Sequence, residues 1–216
     1  MKILLLLAAA GLVILLRKRF VEDLEFFRAD RRAWLHDKWE NWIKPLLIAG
    51  VLAIGIRTFL FGPYKIPTGS MRPVLIEGDR IFVDKISYRF HPPRRGDITV
   101  FKYPLDRKKD FVKRLVGLGG ETVEIRDGQI FVNGARLERP SVFANQFYYN
   151  REDWNYGKRG EVVAVPAGHF FVLGDNSAQS SDSRNWGFVP ARDMIGKAVL
   201  IWWPPQRFRI LKNADA

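Results

Sequence analysis

The sequence predicts a mainly β body carried behind two N-terminal membrane-spanning helices. Three observations predict it: two apolar runs confined to residues 3–61, a cluster of Lys and Arg between them, and short β-branched and aromatic runs separated by turn residues from Tyr64 onward. At 216 residues and 47% apolar, the chain has room for one substantial folded domain plus an anchor, not for two large domains. The absence of cysteine excludes disulfides, thiolate metal sites and cysteine nucleophiles. His36, His91 and His169 lie far apart with no spacing that sets two ligands on one helix face, so no metal is expected.

The first apolar run, 3–16 (ILLLLAAAGLVILL), is closed by Arg17-Lys18-Arg19. It is shorter than the ~20 residues that cross a bilayer comfortably. A cleaved signal peptide is therefore its rival, with Met1-Lys2 as a charged n-region, but no small-x-small cleavage site follows. A short span over about 3–18 is the expectation. The second run, 46–61, lies between Pro45 and Gly62-Pro63 and is broken by Arg57, whose guanidinium can reach the interface along its stem. It predicts a span over about 44–61, against the alternative of a core helix in a soluble protein. Eight Lys or Arg lie between residues 17 and 44, whereas only Lys2 precedes the first run. Short basic loops stay cytoplasmic, so 19–43 is expected inside and everything after Gly62 on the trans side. Trp34, Trp39 and Trp42 fit an interfacial aromatic belt, or equally a soluble helix surface. The expected organisation is thus a multi-pass anchor, 1–62, in the cytoplasmic (inner) membrane and a body, 63–216, on the periplasmic or extracytoplasmic face.

In the body, 80–83 (RIFV), 97–101 (DITVF), 122–125 (TVEI), 129–132 (QIFV), 169–173 (HFFVL) and 198–202 (AVLIW) read as strands with Gly-Asp, Asp-Gly and Asn-Gly punctuation. Residues 124–131 predict a hairpin, since Asp127-Gly128 supplies the positive φ angles of a primed turn. The stretch 139–160 is polar and aromatic without period and predicts a smaller excursion from the main sheet. The net charge of +12 lies largely beside the apolar segments and suits membrane topology. No base-reading motif accompanies it, and no nucleic-acid partner is expected.

Three segments carry candidate chemistry. Ser70 sits in Pro67-Thr68-Gly69-Ser70-Met71-Arg72-Pro73, where prolines restrict the backbone and can hold a hydroxyl exposed; an ordinary Gly-Ser turn reads the same way. A serine nucleophile needs a base, and a lysine can serve if burial among apolar neighbours keeps it neutral. Lys113, within 110–117 (DFVKRLVG), could point inward while Arg114 points out, although a lone strand lysine is usually solvated. The row of hydroxyl, amide and carboxylate groups after 169–173, from Asp175 to Asn185, could hold a lysine and its turn, or be a capped polar loop.

Taken in order, the apolar anchor, P-T-G-S-M-R-P, D-F-V-K-R-L-V-G and G-D-N-x4-S-D-S-R-x-W-G resemble bacterial type I signal peptidases, from the first run almost to Pro204. Each motif alone is modest; their joint order and spacing are specific. The resemblance implies a signal-peptidase-like antiparallel β body and a Ser-Lys dyad without cofactor, in which Ser70 attacks the scissile carbonyl and Lys113 takes its proton. It implies an oxyanion site from the Ser70 N–H and the Thr68 hydroxyl, where many relatives carry serine. It places at Ser180 a hydroxyl that hydrogen-bonds the lysine, and at Asp182, Arg184 and Asp175 charges that support the site. Ile66, Leu75 and Val112 fall where relatives line shallow pockets for small residues, which gives an Ala-x-Ala preference a steric cause. The implied partners are exported preproteins and membrane lipid, the latter also suggested by Trp202, Trp203 and Phe208, which could equally pack in the core. The commonest relatives carry Arg-Asp-Asn where this chain has Ser177-Ala178-Gln179, and Gly-Leu-Pro-Gly-Asp where it has residues 117–121 (GLGGE). A specialised protease with one client, or a tethered β domain that binds without cutting, are the rival readings.

Overall fold

The computed structural model describes residues 17–18, 20–55 and 61–211. The chain divides into two compact units between Gly55 and Ile56.

In the first unit, residues 20–29 are helical and Asp30 interrupts them. The Asp30 carboxylate accepts from the N–H groups of Arg32 and Ala33 and so starts the helix Arg31–Lys38. Across this turn the Phe27 and Trp34 rings meet edge-on at 5.1 Å, and Lys38 pairs with Asp23 at 2.5 Å. Trp34 is thus packed within the unit, whereas Trp39 and Trp42 are exposed. A π-helical turn, Trp39–Ile43, leads into the helix Lys44–Gly55, which is apolar on all sides and buries none of its residues.

The expected span 3–18 lies outside the described residues apart from 17 and 18, and so do 56–60 of the expected span 44–61. The 12 described residues of the second reach about 18 Å, against a hydrocarbon core of ~30 Å. Among the described residues no helix is long and apolar enough to cross a membrane.

The second unit is mainly antiparallel β, as expected. Eight strands form the larger sheet: β1 (Phe61–Lys65), β2 (Arg80–Asp84), β3 (Ile98–Lys102), β4 (Asp110–Gly117), β9 (His169–Leu173), β10 (Val189–Pro190), β11 (Met194–Trp203) and β12 (Arg209–Ile210). The order is β1-β2-β11-β3-β4-β9-β10, with β12 also on β11. Register shifts along β11 and β4 mark bulges, which raise local twist and curl such a sheet. The core beneath it gathers Ile66, Met71, Leu75, Ile81, Val83, Ile98, Val100, Ala198, Ile201 and Leu211.

A smaller sheet, β7-β6-β5-β8, is built from β5 (Thr122–Arg126), β6 (Gln129–Val132), β7 (Ala135–Arg136) and β8 (Val162–Ala164). The β5–β6 hairpin turns at Asp127 (φ 49°) and Gly128 (φ 75°), the pair the sequence predicts. The expected excursion differs in kind: residues 139–160 hold no strand, and the smaller sheet comes from the segments flanking them. The stretch instead drops Phe143 and Tyr148, both essentially unexposed, onto that sheet with Val123, Ile125 and Ile130. Such single insertions leave no periodic trace in a sequence. At the far end, Trp202 is half-buried against Phe82 beneath Arg80, while Trp203 and Phe208 are exposed.

Candidate active site

Strand β4 brings Lys113 to the turn that carries Ser70. Its backbone is fixed on both sides, paired to β3 through Thr99 and to β9 through Leu115, and the Thr99 hydroxyl donates to the Lys113 carbonyl at 3.1 Å. The Lys113 Nζ lies 2.7 Å from the Ser70 Oγ. Lys113 is 4% exposed and Ser70 7%, so the amine is largely removed from water. Burial pushes the Lys113 amine down to about 8, against the nearby Asp182 and Asp175 carboxylates, which favour its charged form. An amine so placed can accept the serine proton at a pH where an exposed lysine remains charged.

The pair opens onto a cleft of about 340 Å³ lined by Pro67, Thr68, Gly69, Glu77, Phe111 and Val112, together with Gln179 and Ser181. Thr68 is exposed on this lining, two residues before Ser70. Val112 lines the cleft, whereas Ile66 and Leu75 are 2% and 0% exposed and sit in the core beneath. Phe111 is a lining residue that sequence reasoning missed. Its ring stacks on Tyr103 at 4.2 Å, and the alternation of β4 sets it on the same face as Lys113.

The polar row after β9 forms the frame. Asp182 caps the short helix Ser183–Trp186 and accepts from the Gly174 N–H at 3.0 Å. Its carboxylate takes a fork from Arg184, Nε at 2.8 Å and Nη2 at 2.7 Å, both residues fully buried. The rest of that guanidinium is satisfied by the Ser177 hydroxyl and carbonyl and the Tyr149 carbonyl, and the Trp154 ring lies 4.2 Å away. The 139–160 stretch therefore buttresses the site loop. Nothing in its sequence pattern announces this.

One expectation needs correction. Arg114 does not point to solvent: it is 3% exposed and forks onto Asp175 at 2.7 Å through both Nε and Nη2, with Nη1 on the Gly96 carbonyl. Both faces of β4 are covered, so alternation does not mean one wet face. Asp175 is accordingly the anchor of the loop onto β4. Ser180 is buried, but among the described residues its hydroxyl has no hydrogen-bond partner. It lies over Gly174, where a Cβ would collide with both the Ser180 hydroxyl and the Ser70 carbonyl. Glycine is required there for the loop to close on the serine turn.

Over most of its length the chain is similar to known proteins. The family model for signal peptidase, peptidase S26, matches residues 39–203. A "Signal peptidase I" of Leptolyngbya laminosa is 43% identical over 173 residues, covering 76% of this chain and 80% of the relative. A "Probable signal peptidase I-2" of Synechocystis sp. is 40% identical, covering 81% and 78%. A "Signal peptidase I P" of Bacillus subtilis subsp. natto is 38% identical, covering 80% and 93%.

Proposed function

The chain belongs to the signal peptidase family, peptidase S26, enzymes acting on preproteins with signal peptides, and from that premise we propose that it is a membrane-bound serine endopeptidase cutting after Ala-x-Ala type sites with Ser70 as nucleophile and Lys113 as general base. The observation that carries this is the buried Lys113 amine, 2.7 Å from the Ser70 hydroxyl at the floor of an open cleft.

In this reading the neutral amine takes the Oγ proton as Oγ bonds to the scissile carbonyl carbon. The carbonyl electron pair moves onto oxygen, which is met by the Ser70 N–H and the Thr68 hydroxyl. Collapse expels the new amine terminus, which receives the proton held by Lys113, and leaves the signal peptide as an ester on Ser70. Lys113 then deprotonates a water that hydrolyses the ester. The unpartnered Ser180 hydroxyl is the group that turns to Nζ when the amine is neutral, and Asp175, Asp182 and Arg184 hold the wall it stands on. Ile66, Leu75 and Val112 set the depth available to small substrate residues.

Membrane attachment is supported by the helix Lys44–Gly55, whose apolar residues are exposed all round, and by the basic loop before it. The exposed Trp203 and Phe208 rings suit contact of the body with lipid. A preprotein carrying an Ala-x-Ala site, incubated with the full chain in detergent and read by mass, tests the reading. Cleavage after the second Ala, lost in Ser70→Ala and Lys113→Ala, is the expected result; cleavage by Lys113→Ala at the wild-type rate would remove the dyad.

A further inference from the structure

We infer that Asn176 is a positioning residue of the oxyanion site, its side-chain amide holding the Gly69–Ser70 peptide so that the Ser70 N–H faces the cleft. The inference rests on the proposed role of Ser70. Asn176 grips the nucleophile's backbone on both sides: its Nδ2 donates to the Gly69 carbonyl at 3.1 Å, and its own N–H donates to the Ser70 carbonyl at 3.0 Å. The Gly69–Ser70 peptide is trans and planar, so its N–H points opposite to its C=O. Fixing the Gly69 oxygen therefore fixes the direction of the Ser70 N–H. That N–H is engaged by no acceptor among the described residues and is left available on the lining of the cleft.

The orientation of the Asn176 amide is decided by its surroundings. A backbone carbonyl can only accept, and the second Nδ2 contact is the Gln179 Oε1 at 3.2 Å. A flipped amide would set its oxygen against the Gly69 oxygen. Gln179, the last residue of the Ser177-Ala178-Gln179 departure from the commonest relatives, thus holds the amide that holds the peptide. Among the described residues the Gly69 carbonyl has one other donor, the Arg72 N–H at 3.1 Å. Losing Asn176 should loosen the oxyanion donor without deleting it. The expected cost is roughly 10- to 100-fold in kcat, less than the ~100- to 1000-fold of removing such a donor outright.

The test uses the full chain in detergent with an Ala-x-Ala preprotein, comparing wild type, Ser70→Ala, Asn176→Ala and Asn176→Asp. Asn176 is half-buried and its backbone N–H bond survives both changes, so both variants should fold. Aspartate keeps the shape but cannot donate when ionised. The expected result is a kcat lowered in both variants with KM changed less than about twofold. A peptide aldehyde ending in Ala-x-Ala, which adds the Ser70 Oγ to form a tetrahedral oxyanion, should lose affinity in parallel with kcat. Wild-type kcat in either variant would overturn the inference, as would recovery in Asn176→Asp alone. Loss that tracks a fall in thermal midpoint with the aldehyde unaffected would also overturn it, as the mark of a structural role. If wild type itself fails to cleave, the proposed function falls and takes this inference with it.

Discussion

An amine that must be neutral to act weakens the fold whenever solution protonates it, and the proposed role as general base puts Lys113 in that position. Its folded value is about 8, against 10.5 for an unburied lysine. Between those values the unfolded chain binds a proton that the folded chain does not, so stability rises with pH across that window. Below pH 8 both states are charged and the folded state carries the full desolvation cost, a matter of a few kcal/mol at ~1.4 kcal/mol per pH unit. Lys113→Met should therefore be more stable than wild type at pH 7, and the gap should shrink as pH approaches 10. Denaturant midpoints at the two pH values check this; an unchanged gap would mean that the amine is already neutral or is solvated. At this scale the chemistry was legible only through combination. Ser70 and Lys113 each have an ordinary alternative, and it is the order of three motifs that weighs against it. Arg114 was misread because strand alternation assigns faces but does not say that a loop covers the second one.

The loop from Gly174 to Gly187 shows what an element contributes beyond its residues. Arg184 is fully buried with every hydrogen bond of its fork satisfied inside the unit. Removing it leaves Asp182 as an unpaired buried charge, so Arg184→Ala should lower stability by about 3–5 kcal/mol and cleavage with it. Arg184→Lys keeps the charge but loses the fork, and should fall between. Thermal unfolding of both variants beside wild type measures the order; an Arg184→Ala protein as stable as wild type would mean that the loop stands without the pair. The β5–β6 hairpin was readable because Asp127-Gly128 has a local cause. Phe143, Tyr148 and Trp154 were not, since their packing is set by distant partners and not by period. In another element, Gly128→Val should disrupt the hairpin, because φ is 75° there and a Cβ would strike the Phe147 ring. Loss of the smaller sheet's amide protection in hydrogen exchange is the expected sign, and unchanged protection the contrary one.

For the whole molecule, composition and charge distribution spoke about placement while motif order spoke about chemistry. The antiparallel body was visible in its short strands, but its division into two sheets was not, since pairing β5 with β8 joins residues about forty positions apart. On the proposed function, a serine just beyond a membrane anchor would meet a cleavage site as it emerges from the bilayer, which shortens the search to a surface. The full chain in native membranes should accordingly stay in the pellet through an alkaline carbonate wash; release into the supernatant would contradict the anchor. The central claim is that a neutral Lys113 drives the attack of Ser70, and the pH dependence of kcat/KM on an Ala-x-Ala substrate tests it most directly. The rate should rise about tenfold per pH unit at low pH and level off near pH 8, where the Lys113 amine loses its proton. A profile flat from pH 6 to 9, or one that levels off near 6.5 as a histidine would make it, would contradict the account.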